Sequence, residues 1–256
     1  MRKISFYILI AFTLQQVLAA CGNTDHKQNN STAKSELQES SSHAAEVRKK
    51  VLTAANQQEL TPEKIIQELQ DGNQKYQHNQ LTLKDDTAMM RETAEGQYPE
   101  AFVLSCIDSR IPVEAVFDKG IGDVFVGRVA GNIIDEDILG SMEYACKVAG
   151  SKLIVVLGHE ACGAVKAAID GEKLGNITTL LAHIQPAIQE TKQVQGEHTT
   201  KNSAFVEAVV KENVRNSIEV IRAKSPVLKE MIDKGEIKII GGYYSLHNGA
   251  VSFFNE

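Results

Sequence analysis

The sequence predicts an α/β domain: a mostly parallel β-sheet flanked by helices, with an N-terminal helical arm. Three observations predict it. First, short, nearly continuous apolar runs occur at 101–105, 124–126, 153–157 and 237–240, the last broken only by Lys238 and continuing to Tyr243 and Tyr244. Continuous rather than alternating apolarity suits strands buried on both faces. Second, stretches with helical apolar spacing separate these runs, and such alternation implies parallel strands joined by helices. Third, two segments dense in reactive side chains, Cys106-Ile107-Asp108-Ser109-Arg110 and His159-Glu160-Ala161-Cys162, each follow a predicted strand. Open α/β sheets bind ligands at the carboxyl ends of their strands, so two motifs distant in sequence are expected to meet.

From the N-terminus, residues 1–20 read as a signal peptide. Arg2 and Lys3 form a basic start, and the apolar run at 4–14 is too short to span a bilayer. Leu18-Ala19-Ala20-Cys21 resembles a bacterial lipobox, which implies acylation of Cys21, export to the periplasm and a lipid anchor in the cell envelope. Gly22 after the cysteine leans toward the outer membrane. Residues 21–60 are assigned to the acylated cysteine and a flexible tether, most clearly to about residue 46, where Ser, Asn, Gln, Lys and Glu dominate. The catalytic domain is placed at 61–256.

Within it, Thr61-Pro62-Glu63-Lys64 is a helix start, with a capping hydroxyl and proline at the first helical position. Ile65, Ile66, Leu69 and Tyr76 continue that helix to about residue 77, and a second covers 87–95. Further helices are expected at 138–148, 164–169, 180–195 and 204–223. Asp135-Glu136-Asp137 is an acidic helix start that suits the helix dipole. The mixed Lys and Glu run at 229–238 reads as a solvated face. Gly127, Gly131 and Gly140 lack the spacing of a dinucleotide fingerprint.

The chain has 256 residues, 43% hydrophobic and 23% charged, with no Trp and a formal charge of −6. The acidic balance argues against nucleic acid as a partner. With Cys21 set aside, Cys106, Cys146 and Cys162 remain. An odd number suits two metal ligands and one core thiol better than a disulfide framework. Two thiolates and an imidazole are a common three-ligand set for a catalytic zinc, which leaves a fourth position open. Asp108 and Arg110 add an acid–base pair that a structural zinc knuckle does not need. His78, His183 and His198 fall in polar or helical stretches and read as surface residues. His247, in Leu246-His247-Asn248-Gly249, reads as a turn residue with pocket lining or proton transfer as the alternative.

With these residues in hand, the chain resembles a β-class carbonic anhydrase. Cys106 to Arg110 match Cys-x-Asp-Ser-Arg, and Gly158, His159, Cys162 and Gly163 match Gly-His-x-x-Cys-Gly. Arg128-Val129-Ala130-Gly131-Asn132, the segment Gly140-Ser141-Met142-Glu143-Tyr144-Ala145 and residues 241–251 match in order as well. The resemblance implies zinc-dependent, reversible hydration of carbon dioxide to bicarbonate and a proton, by attack of zinc-bound hydroxide. Cys106, His159 and Cys162 are then the zinc ligands. Asp108, held by Arg110, either accepts a hydrogen bond from the hydroxide or serves as fourth ligand in a closed state. Gln97 matches a substrate-orienting glutamine of the plant-like branch, and Val129, Gly131 and Tyr144 are implied to wall the pocket. Val103 and Ser105 stand where the allosteric branch has Trp and Gly, so its bicarbonate site is not expected. A homodimer or homotetramer is implied. Hydrolysis of COS or CS2, and a zinc protein that has lost catalysis, are the alternatives.

Overall fold

The computed structural model describes residues 47–254; the expected signal peptide, Cys21 and the expected tether to residue 46 lie outside the described residues. Five strands form one sheet in the order β2-β1-β3-β4-β5. These are β1 (Ala101–Ser105), β2 (Val124–Arg128), β3 (Leu153–His159), β4 (Lys238–Tyr244) and β5 (Val251–Phe254). The first four are parallel and β5 returns antiparallel to β4. Every residue of β1 and β3 is buried, as their unbroken apolar runs require. Ala101, Val103, Leu153, Val155 and Leu157 face one core cluster. Phe102, Leu104, Ile154 and Val156 face the other.

Helices cover both faces. On the first lie α2 (Pro62–Gln77) and α4 (Val113–Val116), followed later in the chain by α6 (Gly163–Asp170), α7 (Gly175–Ala182) and α8 (Gln185–Glu190), while the short α1 (Ala54–Glu59) and α3 (Asp86–Glu92) belong to the N-terminal arm. On the second lie α5 (Glu136–Glu143), a π-helical turn (Tyr144–Val148) and α10 (Pro226–Asp233). The long α9 (Ser203–Lys224) joins them: Val206 and Val210 enter the first cluster, Ile218 and Ile221 the second. No described helix is long and apolar enough to cross a membrane.

Thr61 caps α2 through its hydroxyl and Pro62 opens it, as the sequence predicts. Gly72 in this helix rides on α4, because a Cβ there would lie 2.1 Å from the Phe117 carbonyl oxygen. Its neighbour Asn73 is buried. The Asn73 amide donates to the carbonyls of Val116 (3.2 Å) and Gly249 (2.8 Å), and its oxygen accepts from the Val251 N–H (2.9 Å). One side chain thus ties the arm to the β4–β5 turn.

Three expectations change. The tether assigned to residue 60 gives way earlier to folded chain. Arg48 makes a two-pronged ion pair with Asp123 (2.8 and 2.7 Å), and buried Gln57 donates to the carbonyls of Pro99 and Ala149. The helix expected at 180–195 is two helices, because Pro186 lacks the N–H needed to continue one. Its apolar spacing hid the break, since Leu181, Ile184 and Ala187 are all buried. The run read as a solvated face, 229–238, begins inside α10, which Ser225 caps and Pro226 opens. Leu228 and Met231 are buried while Lys229–Asp233 and Lys234–Glu230 pair on the outside.

Candidate metal centre

Parallel pairing of β1 with β3 brings the two motifs together. Ser105 lies opposite Leu157, so Cys106 leaves β1 beside the end of β3, where His159 is the last residue. Ala161 then adopts a left-handed backbone (φ 53°), a conformation costly for a residue with a Cβ. That turn presents Cys162 at the start of α6. All three side chains are buried, and their ligand atoms lie within 4.8 Å of one another.

Hydrogen bonds set the chemistry of each. His159 Nδ1 lies 2.9 Å from the Glu160 carbonyl oxygen. A carbonyl only accepts, so Nδ1 carries a proton and Nε2 is the nitrogen left for the cluster. Nε2 is buried with no hydrogen-bond partner, and Asp108 Oδ2 is 4.0 Å away. The Cys106 thiol is held well below its ordinary pKa, first by donation from Cys162, against burial, and then by His159 and the Gly131 N–H at 3.3 Å. Cys162 is pushed the other way, as the donor of the pair and by burial. Two buried sulfurs converging with an imidazole nitrogen that has no hydrogen-bond partner are the donor set of a zinc site. The residues fit that ion.

Asp108 is held by Arg110 through Nε–Oδ1 (2.9 Å) and Nη2–Oδ2 (2.6 Å), with the Arg110 N–H also on Oδ1 (3.0 Å). These bonds keep its carboxyl well below the usual range, against partial burial. The loop bearing Cys106 and Asp108 is itself clamped. The Arg128 guanidinium donates to the carbonyls of Cys106 (2.9 Å), Asp108 (3.4 Å) and Ile111. Sequence reading recorded Arg128 only as a motif residue, because its partners are backbone atoms that no side-chain pattern reveals.

Other expected site residues divide. Gly131 touches the centre through its N–H, and half-buried Val129 packs beside both core clusters, its N–H donating to the Ser105 carbonyl (3.1 Å). Gln97 is exposed and precedes β1, whereas Cys106 follows it. Five strand residues separate them by roughly 16 Å, so Gln97 does not reach the centre of its own chain. Tyr144 lies on the other face of the sheet, edge-on to Phe125 of β2 (ring centroids 6.4 Å). Chain spacing predicted both and could not reveal that a strand, or the sheet, intervenes. His247 is exposed and pairs with Glu160 Oε1 (2.7 Å), holding its carboxyl below the ordinary value. Cys146 is a core thiol whose pKa burial pushes up to about 12.

A parallel sheet with a cysteine–histidine–cysteine cluster at its carboxyl edge defines an α/β metalloenzyme. The family model described as carbonic anhydrase matches residues 101–251. Carbonic anhydrase 2 of Mycobacterium tuberculosis is 36% identical over 161 residues, covering 61% of this chain and 74% of that protein. A carbonic anhydrase of Mycolicibacterium smegmatis is 33% identical over 189 residues, covering 72% and 88%. A tetrameric β-carbonic anhydrase of the ascomycete Sordaria macrospora superposes with a TM-score of 0.60 at 26% identity, covering 67% of this chain and 88% of that one. The chain belongs to the β-class carbonic anhydrase family. Members are zinc enzymes, and among the described residues Cys106, His159 and Cys162 form a group able to hold the ion.

Proposed function

We propose that the chain catalyses the reversible hydration of carbon dioxide to bicarbonate and a proton, with zinc held by Cys106, His159 and Cys162. One observation carries this reading: the buried, unpartnered Nε2 of His159 faces the carboxylate of Asp108. Zinc bound there lowers the pKa of a coordinated water from about 15.7 toward 7 and so supplies hydroxide near neutral pH.

The chain's own groups do the rest. Glu160 fixes the His159 tautomer through its backbone carbonyl. Arg110 keeps Asp108 ionised, and Asp108 Oδ2 is the acceptor that orients the nucleophile. Both Asp108 oxygens are engaged by Arg110, which favours this open arrangement over Asp108 as a fourth ligand. Val129 provides the apolar wall for carbon dioxide.

Gln97 and Tyr144 enter through a second copy of the chain. Both lie away from their own centre, and the neighbouring strand β2 is a half-exposed sheet edge, the kind of edge that takes a partner. We read the assembly as a homodimer or homotetramer. Val103 and Ser105 stand where the allosteric branch has Trp and Gly, which supports the plant-like branch. Export to the periplasm and acylation at Cys21, with an outer-membrane leaning, complete the reading; both rest on residues 1–22.

The test is stopped-flow carbon dioxide hydration from pH 7 to 9, with zinc content measured on the same sample. Two thiolate ligands weaken the Lewis acid, so activity should climb toward the alkaline end. A zinc-loaded protein with no hydration across that range overturns the reading, and turnover of COS or CS2 by that sample would replace it.

A further inference from the structure

The core face of α9 is apolar except at Asn213 and Ser217, which are buried to within a few per cent. They stand one helical turn apart and project to the same side. Their donors go to consecutive backbone carbonyls outside the helix. Asn213 Nδ2 donates to the Gly131 carbonyl at 2.8 Å, and Ser217 Oγ to the Asn132 carbonyl at 3.2 Å.

Those two carbonyls belong to a strained turn. Gly131 (φ 70°) and Asn132 (φ 43°) are both left-handed, and such strain persists only where surroundings over-determine it. On the other side the turn is pressed by α6 and α8. A Cβ on Gly131 would lie 2.8 Å from Ile184 Cδ1 and 3.2 Å from Ala164 Cβ. Clamped this way, the turn aims the Gly131 N–H at Cys106 Sγ.

We propose that Asn213 and Ser217 are positioning residues for the metal centre: by holding the Gly131–Asn132 turn they keep the Gly131 N–H on the Cys106 sulfur and so limit the charge that this thiolate gives to the metal. The proposal rests on the zinc reading above. An N–H donated to a ligand thiolate draws electron density from sulfur. In a site with two thiolates that makes the metal a stronger Lewis acid than the ligands alone would allow. Neither α9 residue touches metal or substrate; both act through Gly131.

Cobalt(II) in place of zinc gives a direct readout, since its thiolate-to-metal charge-transfer band reports sulfur donation. Asn213→Leu fills nearly the same volume without the donor. Its cobalt form should show this band moved to lower energy than in the wild type. Ser217→Ala, which leaves a smaller gap, should move it in the same direction by less. Ile221→Ala, a buried loss on the same helix, should lower Tm and leave the band in place. Where Asn213→Leu does not fold, Ser217→Ala carries the test alone. An unmoved band in a folded, cobalt-loaded variant overturns the proposal while leaving the zinc reading intact. Wild-type protein that takes up cobalt with no thiolate band overturns the zinc reading, and the proposal with it.

Discussion

The two ends of strand β1 are built from opposite uses of buried charge. Around its amino end, every buried charge described has a partner. Asp123 takes Arg48 and the Gly120 N–H. Asp118 takes Lys84, Lys75 and both donors of Thr82, and Glu100 pairs with Lys119 at 2.7 Å. Around the carboxyl end, the sulfurs of Cys106 and Cys162 and the His159 Nε2 converge within 4.8 Å, and that nitrogen has no hydrogen-bond partner. A closed network holds the fold together. An open one waits for a cation, and the difference between them lies in the partner count of each atom, not in burial.

Cutting the open network should have the largest effect. Cys162→Ser removes one thiolate, and the purified protein should lose nearly all its zinc and fall to background hydration, read by metal analysis and stopped flow. Asp108→Asn comes next. It keeps the three ligands, so zinc should stay, while turnover falls about 10²–10⁴-fold. Full activity would remove Asp108 from the chemistry. Asp123→Ala cuts the closed network instead. It strands Arg48 and the Gly120 N–H at a cost of no more than about 3 kcal/mol, since Arg48 still reaches water. The melting temperature should drop with zinc content unchanged; zinc loss in step with Tm would mean the two ends are not separable.

The smallest effect is a pH slope. Burial lifts the Glu100 carboxyl to about 7, opposed by Lys119. A carboxyl raised in the folded state favours folding below its unfolded value of 4.5, and that contribution is lost as pH rises through 7. Asp108 runs the other way: its depressed carboxyl favours folding above its ordinary value of 3.8 and loses that as pH falls. Thermal melts of the wild type should therefore weaken from pH 5 to pH 8 more than melts of Glu100→Gln. Parallel slopes would show that Glu100 titrates normally.

What the sequence made legible followed from local physics. β1 and β3 were readable because strands buried on both faces must be apolar at every position. A cysteine at a strand end is more often a small core residue, so the ligands were readable through the paired, ordered motifs that resemble the family's, not through the cysteines alone. Illegible features depended on contacts distant in the chain. Gln57 sits in a polar segment and is ordered only by two carbonyls from far away. Leu228 and Met231 are too few among charged neighbours to announce α10. Gln97 and Tyr144 match the family pattern in spacing, yet spacing along one chain could not show that β1 separates Gln97 from the centre or that Tyr144 lies on the other face of the sheet.

Asn73 carries a consequence for the timing of synthesis. Its partner Gly249 lies 176 residues further along the chain. At roughly 5–20 residues per second, a ribosome needs about 9–35 s to make that stretch. Throughout that interval helix α2 exists without the turn that fastens it, its apolar stripe of Ile65 and Leu69 unsecured at that point. Closing so long a loop is entropically slow. Helix α2 can meet α4 early, through Gly72 and the Asn73–Val116 bond, while its fastening to the β4–β5 turn waits for nearly the whole chain.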